Sequence, residues 1–409
     1  MVRPLRVVSF GECMLELQGQ AFGDMRQTYG GDTLNTAVYL ARCGRRHGLQ
    51  VDYATALGDD ALSSGMLQRW QDEGLSTSLV RRLPGRLPGL YLIEVDAHGE
   101  RRFSYWRDQA AARAYFEDAP DAPAGSTPLE QQAAQIDALY LSGISLAILP
   151  PAGRERLATV AQALRTRGGT VAFDNNYRPR LWSDVATARA NFQRFMGLAT
   201  VALLTLDDEQ ALWGEADAGA QLQRTLAQPC GEVVVKRGAN ATLVRCAGLP
   251  LQEVPTVAVA RVVDTTAAGD SFAGAYRAAR LGGQTAAAAA LAGNRLAARV
   301  VQHRGAVIPA AAMADILEGK PNDPACARLP HGGSAAHCSA KARSITKSPG
   351  FEVLPSLKPR FSSSTFRSRS MPGLPQIMTR SSAGFSSGTC RSMANLPVSM
   401  SSVTRPMLR

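Results

Sequence analysis

Short apolar runs recur along the first 310 residues, and stretches with helical spacing separate them. The pattern predicts strands over 5–10, 51–56, 138–142, 171–174, 201–204 and 233–236. It predicts helices over 33–43, 61–73, 151–167 and 183–197, and Leu34, Val38 and Ala41 share one face of the first. Gly, Asp, Asn and Pro bound the strands. Strand and helix in alternation predict an α/β domain around a largely parallel sheet. The alanine-rich stretch 285–301 is a further helix candidate, interrupted by Asn294, Arg295 and Arg299. No apolar run approaches the ~18 residues of a membrane span.

One segment breaks the rhythm. Residues 89–106 hold two alternating runs around Asp96-Ala97-His98-Gly99, the pattern of a β-hairpin. Such a hairpin early in an α/β chain forms either a lid over a site at the sheet edge or an ordinary surface hairpin. His98 is expected in the turn, without chemistry.

Charge changes the picture only when it is located. The chain of 409 residues has 45 Lys+Arg against 34 Asp+Glu, a net +11, which taken globally points to nucleic acid or an anionic membrane. After Asp323, however, stand twelve Lys/Arg and one acid, Glu352, so residues 1–323 are neutral. A neutral body argues against a nucleic-acid-binding core. The segment 324–409 contains 18 serines, no Trp or Tyr and no period of 2 or 3.6. It is expected to be a disordered basic tail, either an extension or the product of a wrong reading frame. Seven cysteines without a CxxC pair predict reduced thiols in a cytoplasmic protein, and five histidines without HExxH or HxH spacing predict no metal site.

The strongest motif is Val262-Val263-Asp264-Thr265-Thr266-Ala267-Ala268-Gly269-Asp270-Ser271-Phe272-Ala273-Gly274. It is expected to run from a strand end through a small-residue loop into a helix. The first N–H groups of a helix have no intrahelical partner, and small residues let phosphate approach them. Asp270 would repel an anion there. It makes sense if it accepts a proton from a hydroxyl that attacks the phosphate; as a plain helix cap it also makes sense. GxxxxGK[ST] and GxGxxG are both absent, so neither a P-loop nor a dinucleotide site is expected.

A second end of the site is predicted at Gly30-Gly31-Asp32-Thr33-Leu34-Asn35, where Asp32 or Thr33 can cap the first helix. Asn35, one turn in, is suited to sugar hydroxyls. Tyr105 and Arg107 share a side of the hairpin's second strand by period 2. Arg178 follows the 171–174 strand, where α/β ligand sites form. Two arginines reaching one pocket would suit an anionic acceptor, with positive charge concentrated there.

With those residues in place, the chain resembles the ribokinase-like (PfkB-type) carbohydrate kinases, and among them the branch acting on 2-keto-3-deoxygluconate. The likeness runs from about residue 4 to about 310, on GGDTLN, the hairpin with YWR, DNNYRPRLW, TLDDEQALWG, VVVKRGANAT and DTTAAGDSFAGAY. The resemblance implies a three-layer α/β/α domain over 1–315 with a small β-sheet lid that includes 89–107. It implies ATP-dependent phosphorylation of the acid's C6 hydroxyl. Asp270 would be the base, with the N–H groups of Ala267, Ala268 and Gly269 as an anion hole. Gly31, Asp32, Asn35, Tyr91, Tyr105, Arg107 and Arg178 match substrate-contacting positions. Asn176, Thr205, Lys236, Gly238, Gly269 and Asn294 match positions near ATP. Mg²⁺ is implied, with a monovalent cation as a further candidate, and self-association through the lid. Nucleic acid and membranes are not expected partners.

Two departures stand out. Ala267 replaces a customary Gly, which touches the first anion-hole backbone angle. Thr205-Leu206-Asp207-Asp208 replaces an Asn-x-x-Glu motif, leaving Asp208 for an indirect role with Mg²⁺ and Glu209 as a competitor. The alternatives are a fructokinase- or ribokinase-like enzyme for a neutral sugar, which has no use for the paired Arg and Tyr, and a keto-deoxygalactonate kinase, one stereocentre away. A nucleic-acid-binding protein driven by its tail is the reading from another class.

Overall fold

Neighbouring apolar residues in the predicted strands face opposite sides of one sheet, as the two-residue period requires. Val8, Leu139, Val171, Leu204 and Val233 join one core. Their neighbours Val7, Tyr140, Ala172, Leu203 and Val234 pack on the other side. Both faces are therefore covered, which explains strands that are apolar throughout. The computed structural model describes residues 3–95, 101–118 and 127–318. His98 with its turn, and the segment 324–409, lie outside the described residues.

The main sheet is built from β1 (Arg6–Phe10), β4 (Gln50–Leu57), β5 (Val80–Arg82), β8 (Ala138–Ser142), β9 (Thr170–Asp174), β10 (Val201–Thr205), β11 (Glu232–Arg237), β12 (Asn240–Cys246) and β13 (Gln252–Val254). Its order is β13-β12-β11-β10-β9-β8-β1-β4-β5, with every pair parallel except β11–β12 and β12–β13, so that β12 alone runs against the rest. Helices α1 (Asp32–Gly44), α2 (Ala61–Asp72), α3 (Pro151–Thr166), α4 (Val185–Leu198), α5 (Leu206–Trp213), α6 (Ala268–Leu281) and α7 (Ala286–Val300) follow in chain order. Leu157, Val160 and Leu164 of α3 and Phe192 and Phe195 of α4 fill the first core. Leu34 and Val38 of α1, with Phe272 and Tyr276 of α6, fill the second side. This is the expected α/β/α arrangement.

A second sheet holds β2 (Met14–Gly19), β3 (Met25–Gly30), β6 (Gly89–Val95) and β7 (Arg101–Trp106), in the order β3-β2-β6-β7. The predicted hairpin supplies β6 and β7, with Tyr91 opposite Tyr105. The β2–β3 pair was not legible. Its Gln18, Arg26 and Gln27 blur the alternation because this sheet faces a polar cavity and solvent. The stretch before the small-residue loop is not a strand either. Val262 and Val263 are exposed, and the N–H groups of Val263 and Asp264 donate to the Val301 carbonyl instead of to a neighbouring strand.

Helices α1 and α6 cross closely, and the crossing positions the site. A Cβ at Gly274 would stand 2.9 Å from both the Leu40 nitrogen and the Thr36 carbonyl. Only glycine lets the two backbones approach that far. Among the described residues no helix is long and apolar enough to cross a membrane. The four described cysteines are free thiols, and burial pushes Cys43 and Cys230 up to about 11.

Candidate active site

The C-terminal ends of β9, β10 and β11 and the N-termini of α1 and α6 open into one cavity of about 510 Å³. Tyr91, Ile93, Phe103 and Tyr105 also line it, so the hairpin does roof the site. Tyr105 stacks on Tyr91 at 6.0 Å and on Phe103 at 6.4 Å, a ladder set by the strand period.

Helix α6 begins at the small-residue loop. Ala267 is its N-cap, in the left-handed region at φ 59°, and no side chain caps the helix. No side chain caps the first turn, the arrangement that receives phosphate, and of its N–H groups that of Ala268 donates to the Thr265 carbonyl at 3.2 Å. An Ala in this backbone region costs about 1 kcal/mol relative to Gly. Ala267→Gly is therefore expected to raise stability by up to about 0.5–1 kcal/mol in urea unfolding. A loss of stability would show that the Ala267 methyl group makes a compensating contact.

Asp270 lies inside the first turn and is not the cap. Its Oδ2 accepts from Asn35 Nδ2 at 2.9 Å, which ties α6 to α1. Burial raises its pKa to about 7, Asp32 and Asp174 add to the rise, and Asn35 and Lys236 oppose it. A carboxyl poised there can take a proton near neutral pH.

Neither Asp32 nor Thr33 caps α1. Gly31 is its N-cap, without a side-chain bond. A Cβ at Gly31 would overlap the Glu12 carbonyl, so glycine is required by close approach. Asp32 instead accepts from Asn176 Nδ2 at 2.6 Å. Thr33 is buried, with its hydroxyl 3.1 Å from that of Tyr53.

On the opposite wall Lys236 Nζ donates to Asp174 Oδ2 at 2.8 Å, and Arg178 donates to Asp208 Oδ1 at 3.1 Å. Burial raises Asp208, and Arg178 opposes it. Asp208 faces the cavity. Glu209 is buried on the far side, 1% exposed, and accepts from Asn175. Between the two candidates, geometry places Asp208 at the site.

The cavity gathers Gly31, Asp32, Asn35, Tyr91, Tyr105, Asn176, Arg178, Thr205, Asp208, Lys236, Ala267, Ala268, Gly269 and Asp270. It does not gather Arg107, Gly238 or Asn294. Strand β7 ends at Trp106, and the Arg107 guanidinium turns to the buried Glu12 carboxylate. Asn294 is consumed by Thr242 at 2.9 Å and the Pro255 carbonyl at 3.0 Å. Gly238 forms the β11–β12 turn at φ 58°. Glu16, which accepts from the Tyr91 hydroxyl, and Arg304 also line the cavity and carried no sequence signal.

The expected concentration of positive charge is not found. Seven carboxylates face three cationic side chains in the lining, and Lys236 and Arg178 are paired with two of them. Strand ends and helix first turns favour Asp, and they supply most of the acids. The cavity therefore suits an anionic nucleotide that arrives with a divalent cation. No group of three His, Cys, Asp or Glu among the described residues could hold a metal alone. One or two carboxylates plus phosphate oxygens are the usual setting for Mg²⁺.

A comparison with known proteins decides the family. Residues 5–313 match the pfkB family carbohydrate kinases. The chain belongs to that family. It is 51% identical over 309 residues to the 2-dehydro-3-deoxygluconokinase of Dickeya dadantii (strain 3937), spanning 75% of this chain and 98% of that protein. It is 47% identical over 310 residues to the enzyme of that name from Escherichia coli (strain K12), with 75% and 98% covered. Among solved structures, the 2-dehydro-3-deoxygluconokinase of Thermotoga maritima aligns with a TM-score of 0.62 at 22% identity, over 78% of this chain and 99% of that one. A fructokinase with bound ATP from Xylella fastidiosa gives 0.63 at 22%, over 77% and 98%. At these identities the structures speak for the fold of this pfkB-family member.

Proposed function

We propose that this protein transfers the γ-phosphoryl group of ATP to the C6 hydroxyl of 2-dehydro-3-deoxygluconate, the acid also called 2-keto-3-deoxygluconate, within a kinase domain at 1–315. The observation that carries phosphoryl transfer is the Asp270 carboxylate, held by Asn35 in the first turn of a helix whose N-terminus no side chain caps. The acceptor rests on relatives 41–51% identical that bear this activity's name.

Asp270 takes the proton of the attacking hydroxyl. The N–H groups of Ala267 and Gly269 stabilise charge on the transferring group, and that of Ala268 joins them when it exchanges the Thr265 carbonyl for a phosphate oxygen. Asn35, Asp32 and Gly31 fix acceptor hydroxyls, and the Tyr91–Tyr105 stack closes over the chain of the sugar acid. Arg178 pairs with its carboxylate. Asn176, Thr205 and Lys236 would hold the nucleotide side, and Asp208 would help to hold the metal. ATP would supply the phosphoryl group, and the Mg²⁺ bound to it the cationic charge that the lining lacks. Positioning and charge stabilisation carry most of such a transfer. The reaction is assigned to the cytoplasm.

Coupled ADP release with 2-keto-3-deoxy acids, fructose and ribose tests this. The gluconate-derived acid is expected to lead in kcat/KM. Arg178→Ala is expected to raise its KM about 10–100-fold, the worth of a charge-assisted hydrogen bond, with little change for ATP. Equal turnover of neutral sugars would replace the acid with a fructokinase-like acceptor.

A further inference from the structure

Behind the site lies a buried amide to which no role has been assigned. Asn175 follows β9 directly and is 0% exposed. Its Nδ2 donates to the Thr205 carbonyl at 2.9 Å and to Glu209 Oε1 at 3.1 Å. Its Oδ1 accepts from the Asn176 N–H at 3.0 Å and the Thr205 N–H at 2.9 Å. Both hydrogens of the amide are used, and so are both acceptor sites of its oxygen. One side chain thus joins the end of β9, the end of β10 and the first turns of α5.

What it joins is the nucleotide wall of the cavity. Asn176 stands at a positive φ of 20°, with its N–H on the Asn175 oxygen and its own amide on Asp32. Thr205 is gripped at both its N–H and its carbonyl. Arg178 and Asp208, which bond to each other in the cavity lining, are each within three residues of a member of this cluster. Among the contacts that Asn175 itself makes, Glu209 is the one charged group. Burial raises its carboxyl, and Asn175 opposes that rise.

We propose that Asn175, seated on Glu209, is a positioning residue that sets the placement of Asn176 and Thr205 for the nucleotide. The inference rests on the kinase reading but not on the identity of the sugar acid. An amide is required because the two acceptors and the two N–H groups demand two donors and an oxygen on one planar group. Asn175→Asp keeps the shape and reverses this. It sets a carboxylate oxygen against the Thr205 carbonyl and against Glu209, and two carboxylates at that separation oppose each other's ionisation.

The test is calorimetric titration with MgATP, run beside turnover and thermal unfolding of the full chain. Asn175→Asp is expected to weaken MgATP binding about tenfold or more, and to change KM for the sugar acid less than about threefold. The defect is expected to deepen as pH rises and the new carboxyl ionises. Adding Glu209→Gln, which donates where Glu209 accepted, is expected to recover most of the affinity. If Asn175→Asp does not fold, Glu209→Leu alone is expected to weaken MgATP about threefold or more. A folded Asn175→Asp, or a Glu209→Leu, that binds MgATP within twofold of wild type overturns the proposal. Wild-type protein that binds MgATP without phosphorylating the acid would overturn the substrate reading and leave this one standing.

Discussion

Asp270→Asn is expected to lower kcat by about 10²–10⁴-fold while KM for both substrates moves only a few-fold. Asn keeps the size of the side chain and an oxygen for the Asn35 amide, which donates to Asp270 at 2.9 Å. It loses the capacity to accept a proton. The α6 N-terminus, Lys236 and Arg178 remain, so ground-state binding should survive and only the transition state should suffer. A variant with near wild-type kcat would remove Asp270 from the base role and leave the anion hole as the whole of the catalytic device.

The pH profile gives the same assignment an independent reading. With its carboxyl raised to about 7 by burial, Asp32 and Asp174, free Asp270 is half-protonated near neutrality. A protonated base is inactive, so kcat/KM is expected to fall as pH drops below about 7. Stability moves the other way. The folded state holds this proton to a higher pH than the unfolded chain, whose carboxyl ionises near 3.8. The stabilising contribution is complete below that value and is lost as pH rises through about 7. At pH 8 the wild-type protein carries a buried charge that Asp270→Asn lacks. The variant should therefore melt higher than wild type at pH 8, and the gap should close toward pH 4. Such a gain in stability from losing a catalytic group is the expected cost of a strained site.

Much of this site was legible because its residues sit where local rules put them. Gly31 and the 267–270 loop mark helix starts, Arg178 marks a strand end, and buried strands such as Val201–Thr205 announce themselves by continuous apolar runs. What was not legible depends on long-range pairing. Period 2 put Arg107 beside Tyr105 on the cavity face, but a period holds only within a strand, and β7 stops at Trp106. Glu12, 95 residues away in sequence, then claims the guanidinium. Asn294 was placed near ATP by the family resemblance, but its amide is taken up inside the fold. Its partner Thr242 lies 52 residues earlier, on β12. Glu16 and Arg304 carry no motif, and only the fold brings them to the cavity.

The Glu12–Arg107 pair leads to the other large effect. Glu12 is fully buried, and its side chain and that of Arg107 are only 1% and 9% exposed. Burial pushes the Glu12 carboxyl up, and Arg107 is the main opposing charge, with Arg113 adding a smaller one. Arg107→Ala would leave that acid without its main partner, in a place water does not reach. The expected loss is about 3–5 kcal/mol of stability, seen as a fall of roughly 6–10 °C in Tm. Glu12→Gln in the same chain should recover most of it, because the cost lies in the unpaired charge and not in the missing bond. This double variant also separates two roles. Glu12 lies between β1 and β2 and Arg107 lies just past β7, so their bond ties the end of the lid hairpin to the β1–β2 junction where the lid sheet leaves the main sheet. If that is its whole function, the stabilised double variant should bind the sugar acid with nearly the wild-type KM. If Arg107 also leaves Glu12 to meet the acceptor's carboxylate as the lid closes, KM should stay about tenfold higher despite the recovered Tm, since a charge-assisted bond would still be missing. The resting geometry favours the first outcome. A guanidinium released into a cavity lined by seven carboxylates would have to leave one buried acid unpaired in order to reach another.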